Sequence, residues 1–237
     1  LIRELTQLGS IQVEAAPRYS FGTGLVTSHY MPTLFGEIAF RSDPLLNQIS
    51  TQWIMHYHLS ACQGPGPTFW HNTVKTFFRN GNEFSSSDVA EEISSFYYKS
   101  QGEVLASRSA RTTATILLGS YTKADALGNL KLIQNIGKDR YRVNDDLDPP
   151  PTWAIAYAII DTWLSLYPER TGINLDDFTS EDGLANIFLI GAGKFASILQ
   201  KIQSEGFIEV YRVAPPYQVV LLRPELKPIL EKLYENK

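Results

Sequence analysis

A chain of 237 residues with 43% apolar side chains has enough material for one large core or two small ones, which excludes a disordered or low-complexity polypeptide. Twenty-one Lys and Arg against 25 Asp and Glu leave a formal net charge of −4, so the molecule as a whole does not attract phosphate and any nucleic-acid contact has to come from a local basic patch. No apolar run reaches the roughly 20 residues of a membrane span, nothing at the start resembles a signal peptide, and the single Cys62 excludes an internal disulfide and fits a reducing, cytoplasmic setting.

Residues 1–8 read as the end of a helix already under way, so a further N-terminal portion is expected upstream, with Gly9 as a C-cap. Residues 11–15 and 25–30 suggest two strands of a wing-like hairpin, and Leu34, Phe35, Ile38 and Ala39 give a short helix between Pro32 and Pro44. Ile49, Trp53, Ile54, Tyr57 and Ala61 predict a buried helix over 47–62, stopped by Gly64, Pro65, Gly66 and Pro67. Phe69, Trp70, Val74, Phe77 and Phe78 place an aromatic inner face on a second helix over 68–79, packed against the first as a hairpin.

Ser85 followed by Asp88 is a capping-box pattern, opening a helix that turns Val89, Ile93, Phe96 and Tyr97 inward. From Ser107 another helix carries Ala110, Ala114, Leu117, Leu118 and Tyr121 on one face and Arg108, Arg111, Thr112 and Thr115 on the other. Two helices with a short connection, the second showing Arg and Thr to solvent, match a helix-turn-helix in outline. Residues 130–136 and 140–143 flank Gly137, Lys138 and Asp139 as a small hairpin.

Pro149, Pro150 and Pro151 form a stiff connector and mark the best subdomain boundary. Residues 153–167 are apolar almost all round, which predicts a helix buried on most sides. A short strand over 187–190 follows, then a helix over 193–205 capped by Gly206, then strands over 207–213 and 217–223 joined through Ala214, Pro215 and Pro216. Helix, strand, proline turn and strand make the back half of a winged helix, and a last helix over 224–234 packs beside it. No internal repeat of fixed period is visible. The organisation expected is therefore a wing-like hairpin with a short helix (1–46), a helical hairpin with a helix-turn-helix-like unit (47–148), and a winged-helix-like unit (149–237).

The stretches MPTLFGEIAF, WIMHYHLSACQGPGPTFWHNTVKTFF, EFSSSDVAEEI with SRSARTTATILLGSY, and PPTWAIAYAIIDTW, in that order and spacing, resemble the family catalogued as domain of unknown function 4007 over nearly the whole chain. The resemblance implies a DNA-associated accessory component of bacterial phage-defence islands, neighbouring sulfur-transfer enzymes of DNA phosphorothioation. It carries over no catalytic residues, and it implies a further N-terminal helical region with helix-turn-helix character. Where relatives tend to place a Lys-Arg pair, this chain has Arg111 and Thr112, a weaker basic face.

Among residue types that could carry chemistry, His56, His58, His71 and Cys62 share one helical hairpin and invite a zinc reading. His56 and His58 are two apart, so they point to nearly opposite sides of a helix and do not converge on one ion. Asp161 sits in the apolar helix, where it has to be paired, protonated or facing water, with no nucleophile placed beside it for general-base work. Gly191, Ala192, Gly193 and Lys194 lack both the first glycine and the Ser or Thr after lysine that a phosphate loop needs. The residues left for phosphate contact are Arg108, Arg111, Lys194, Ser197, Lys201 and Arg212, with Arg223 a further candidate.

These readings give a mainly α fold with small β-hairpins, containing helix-turn-helix or winged-helix-like units. The functional expectation is a non-enzymatic, DNA-associated accessory or adaptor protein with no cofactor and no metal, whose partners are duplex DNA and proteins of a defence or DNA-modification system. The alternative is a purely protein-binding scaffold that uses the same folds without touching nucleic acid.

Overall fold

Residues 10–180, 183–212 and 215–235 are described by a computed structural model, mostly helical with two small antiparallel sheets. The first element is a helix, α1 (Ser10–Gly22), where the alternation of residues 11–15 suggested a strand. Five alternating residues fold as a strand only if something pairs with them. Here residues 25–30 supply no partner: Thr23, Gly24, Leu25 and Val26 donate their amides back to the carbonyls of Tyr19, Phe21 and Ser20, and the ladder is reduced to an isolated bridge between Val26 and Pro32. The wing-like hairpin expected there is replaced by a capped helix end and a turn.

Helix α2 (Leu34–Ser42) starts at Thr33, whose hydroxyl accepts from the Gly36 amide at 2.9 Å. Gly36 lets this helix lie directly on the preceding segment, because a Cβ there would collide with the Leu25 carbonyl oxygen. Helices α3 (Ile49–Ser60) and α4 (Thr68–Phe77) pack as the expected hairpin. Strand β1 (Glu83–Ser85) leads into α5 (Ser86–Gln101), and a left-handed Gly102 ends that helix before α6 (Ser107–Thr122). Strands β2 (Ile133–Gly137) and β3 (Arg140–Val143) close a sheet in the order β1-β3-β2.

After the three prolines, α7 (Thr152–Leu166) runs through the centre of the molecule, with ten of its residues buried, and packs against α3, α10 (Ala192–Ser204) and α11 (Leu226–Glu235). Fully burying side chains such as Ile155, Ile159 and Ile160 contributes about 1.5–3 kcal/mol each. Strand β4 (Gly172–Asn174), the short helices α8 (Leu175–Thr179) and α9 (Leu184–Ile187), α10, and strands β5 (Ile208–Tyr211) and β6 (Gln218–Leu221) complete a second sheet, ordered β4-β6-β5.

Residues 187–190, expected as a strand, instead end α9 and turn into α10, with Ile187, Phe188 and Ile190 buried. A short apolar run does not distinguish a buried strand from a buried turn of helix. The strand that completes the sheet lies earlier, at Gly172–Asn174, and pairs with Gln218–Val220. Consequently one element order, helix–strand–helices–strand–strand with the last strand in the middle of the sheet, occurs twice: α4 to β3 and α7 to β6. No fixed sequence period reveals it, because the 16 residues of α5 correspond to the 5 of α8 and the 4 of α9.

Candidate nucleic-acid interface

In the first unit, α6 buries Ala110, Ala114, Leu117, Leu118 and Tyr121 at no more than 2% exposure, so its opposite side is left to solvent. That side carries Arg108, Arg111, Thr112 and Thr115, all four exposed. The threonine hydroxyls turn back onto the helix, donating to the Arg108 and Arg111 carbonyls at 2.9 Å each. Arg111 donates from Nε to the Ser107 carbonyl at 3.3 Å, and among the described residues neither arginine is engaged in an ion pair. The hairpin arginines differ: Arg140 holds Glu83 at 3.0 Å and Arg142 holds Asp145 at 3.1 Å. Asp139, at a left-handed φ of 61°, accepts from the Ser86 amide and hydroxyl, which ties the hairpin tip to the start of α5 and leaves Lys138 exposed beside it.

In the second unit, α10 turns Phe195, Leu199 and Ile202 inward and shows Lys194, Ser197 and Lys201 on the other side. These three line a groove of about 610 Å³ together with Ser50, the stretch Pro149 to Trp153, Ile198, Lys232 and Leu233. The Lys232 ammonium is fixed there by Glu205 at 3.0 Å and by the Trp153 ring, whose centroid is 5.1 Å away. Among the described residues no carboxylate lines the groove; Asp145 and Asp148 line a neighbouring recess shared with Lys194.

The six sequence candidates thus divide between the units. Arg108 and Arg111 lie on α6; Lys194, Ser197 and Lys201 share the groove; Arg212 is exposed just after β5. Arg223 lays its guanidinium over the Phe207 ring at 5.7 Å. Lys232, Ser50 and Thr152 have no signal in the sequence: they come from three separate helical segments, and only the packing of α3, α7 and α11 brings them beside α10.

Between the units runs a chain of buried hydrogen bonds. Trp70 Nε1 donates to the Tyr121 hydroxyl at 2.8 Å; Tyr121 in turn lies 2.8 Å from His56 Nδ1, and His56 Nε2 lies 2.9 Å from the Ile187 carbonyl. The indole has only a donor and the carbonyl only an acceptor, so the chemistry fixes the neutral tautomer of His56 with its proton on Nε2. Burial lowers the His56 pKa to about 4, and burial does the same to His58, which meets the Tyr157 hydroxyl through Nε2 at 3.0 Å. His71 Nδ1 bonds the Ser60 carbonyl, which leaves these three histidines as links between elements.

Asp161 accepts from the Tyr57 hydroxyl at 2.8 Å, and burial raises its carboxyl above the ordinary range while that bond pulls it down. Thr162 and Gln63 complete the cluster at 2.9 Å from the same hydroxyl. A raised tyrosine and a raised carboxyl, hydrogen-bonded to each other and to neutral groups, knit α3 to α7.

The chain belongs to the family described as "Protein of unknown function (DUF4007)", whose model matches residues 20–234. Two solved structures share its fold: a magnesium-ion-bound SspB, with a TM-score of 0.82, and SspB itself, with 0.80. Each is 17% identical and aligns over 99% of this chain and 78% of its own, a likeness of fold. No curated protein matches the sequence. Among the described residues no single helix is long and apolar enough to cross a membrane.

Proposed function

We propose that this chain is a DNA-associated accessory protein without a catalytic centre of its own, built on two winged-helix units, the first of which meets duplex DNA. The observation that carries the reading is the face of α6, which makes no ion pair among the described residues and exposes Arg108 and Arg111 on the second helix of a helix pair, with a hairpin bearing Lys138 after it. That is where a winged helix presents its recognition helix, with the hairpin as wing. The setting, a bacterial phage-defence or DNA-phosphorothioation system operating in the cytoplasm, is the one the family resemblance implies. Fluorescence anisotropy with labelled duplex DNA tests it: phosphate contacts give an affinity whose logarithm falls linearly with the logarithm of salt. Absence of binding at about 50 mM salt would defeat it, since phosphate contacts are strongest at low salt.

A second reading, a protein-binding scaffold, has its own observation. Tyr30, Met31, Phe40 and Leu45, in α2 and the segments flanking it, are 58–77% exposed, four large apolar side chains open to solvent within sixteen residues. Replacing Phe40 and Leu45 with Asp should abolish co-purification with the product of a neighbouring gene, and retention of the partner would exclude this face.

A further inference from the structure

We infer that the groove beside α10 is a nucleotide site distinct from the duplex-binding face of α6, taking a phosphate between Lys194, Lys201 and the first turn of α7, with the sugar and base against its proline wall. The identity of the anion as a nucleotide rests on the nucleic-acid reading above; the site itself rests on the groove. In a chain of net charge −4, this groove gathers three lysines and, among the described residues, no carboxylate. Lys194 and Lys201 have no ion pair among the described residues, while Lys232 is held in place by Glu205 and Trp153.

The start of α7 opens into the same space. Its N-cap is Pro151, which offers no side-chain acceptor, so the amides of Thr152 and Trp153 precede the first turn's bonds to the Pro151 carbonyl and point out of the helix. Free amides and the positive end of the helix beside two unpaired ammoniums are a fitting environment for a phosphate. Pro149, Pro150, Ile198 and Leu233 supply apolar surface for the rest of the ligand, and about 610 Å³ is within the size range of small-molecule sites.

The same geometry separates this site from duplex recognition. A helix that reads a duplex projects into a major groove about 12 Å wide. The lysine face of α10 instead shares its space with residues of the proline stretch, α3, α7 and α11, which suits a ligand that enters the protein. The nucleotide can come free in solution or as part of a single strand.

Anisotropy on the full chain with a labelled, 5′-phosphorylated oligothymidylate, and displacement of that probe by ATP, distinguishes the two sources. Displacement assigns the site to free nucleotides; binding of the strand without displacement assigns it to strands. In either case the pair K194A and K201A should weaken binding about tenfold or more and change duplex affinity less than about threefold, while R108A with R111A should do the reverse. The inference is overturned if the labelled strand does not bind, if K194A with K201A leaves its binding unchanged, or if inorganic phosphate alone displaces it. A chain that binds the strand but no duplex overturns the duplex reading and leaves the groove standing.

Discussion

The two units share an element order and a sheet order, yet they expose different things. In the first, α5 and α6 are full-length helices, and the outer side of α6 is exposed, its arginines without an ion pair among the described residues. In the second, the matching outer side of α10 lines a groove with the connector and with helices from elsewhere in the chain. Topology therefore puts α6 and α10 in the same place in their units, and packing around each decides how much of it is left to solvent. The opening helices repeat the contrast: α4 has a buried side and a solvent side, whereas α7 is enclosed between α3, α10 and α11.

If the buried histidines join the units, acid should loosen the whole molecule before it affects either surface. His56 and His58 titrate near 4 when folded and near 6.5 when free. Above 6.5 both states are neutral and stability is flat; between 6.5 and 4 the unfolded chain takes up protons that the folded chain refuses, so stability falls as pH falls. The pair should cost about 4 kcal/mol of stability between pH 7 and 5, read as a lower urea midpoint. Asp161 acts in the opposite sense, because its raised carboxyl takes a proton in the folded state first, and it offsets part of the fall at the acid end. A midpoint that does not move over this range would remove the histidines from the joint.

His56→Ala separates the joint from the units directly. It strands the Ile187 carbonyl, takes from the Tyr121 hydroxyl its acceptor while leaving the bond from Trp70, and opens a cavity, at a cost of about 3 kcal/mol. The remaining pH dependence should be about half that of the parent, since only His58 is left to titrate in the window. A full pH dependence in this variant would assign the effect to other groups.

The joint is also where the sequence is least informative. The capping box at Ser85 and Asp88, the helix of residues 153–167 and the strands around the last proline turn are local patterns, and each is found within a few residues of where periodicity and turn residues put it. A hydrogen bond from His56 to a carbonyl 131 positions away has no local signature, nor does the meeting of Lys232 with Lys194. Strand β4 escapes notice because it has three residues with one buried side chain, and α1 reads as a strand because five alternating residues mimic one. For the candidate site, helical spacing is enough to find the faces of α6 and α10. It does not show that one stands free and the other shares a groove.

That difference makes a smaller, sharper prediction for DNA. Arg108→Ala with Arg111→Ala should weaken duplex binding about tenfold and reduce the salt slope by about two, one for each phosphate that is no longer neutralised. Both arginines are exposed and unpaired among the described residues, so the fold should be unaffected, as a circular dichroism spectrum and urea midpoint like the parent's would show. An unchanged slope would move the duplex site off α6.

The smallest effect compares how each unit starts its second helix. Ser85 accepts from the Asp88 amide at 3.1 Å, and Asp88 accepts in return from the Ser85 amide at 2.8 Å, so two otherwise open amides are satisfied at the head of α5. Asn174 occupies the same place before α8 but makes no side-chain bond to the helix. Ser85→Ala should therefore cost about 1 kcal/mol and Asn174→Ala only a few tenths, although asparagine is by type the equal of serine as a cap. The two substitutions are close in chemistry and differ in what the side chain bonds. Equal costs at the two sites would mean that strand pairing of β1 and β4, rather than capping, sets the stability of these junctions.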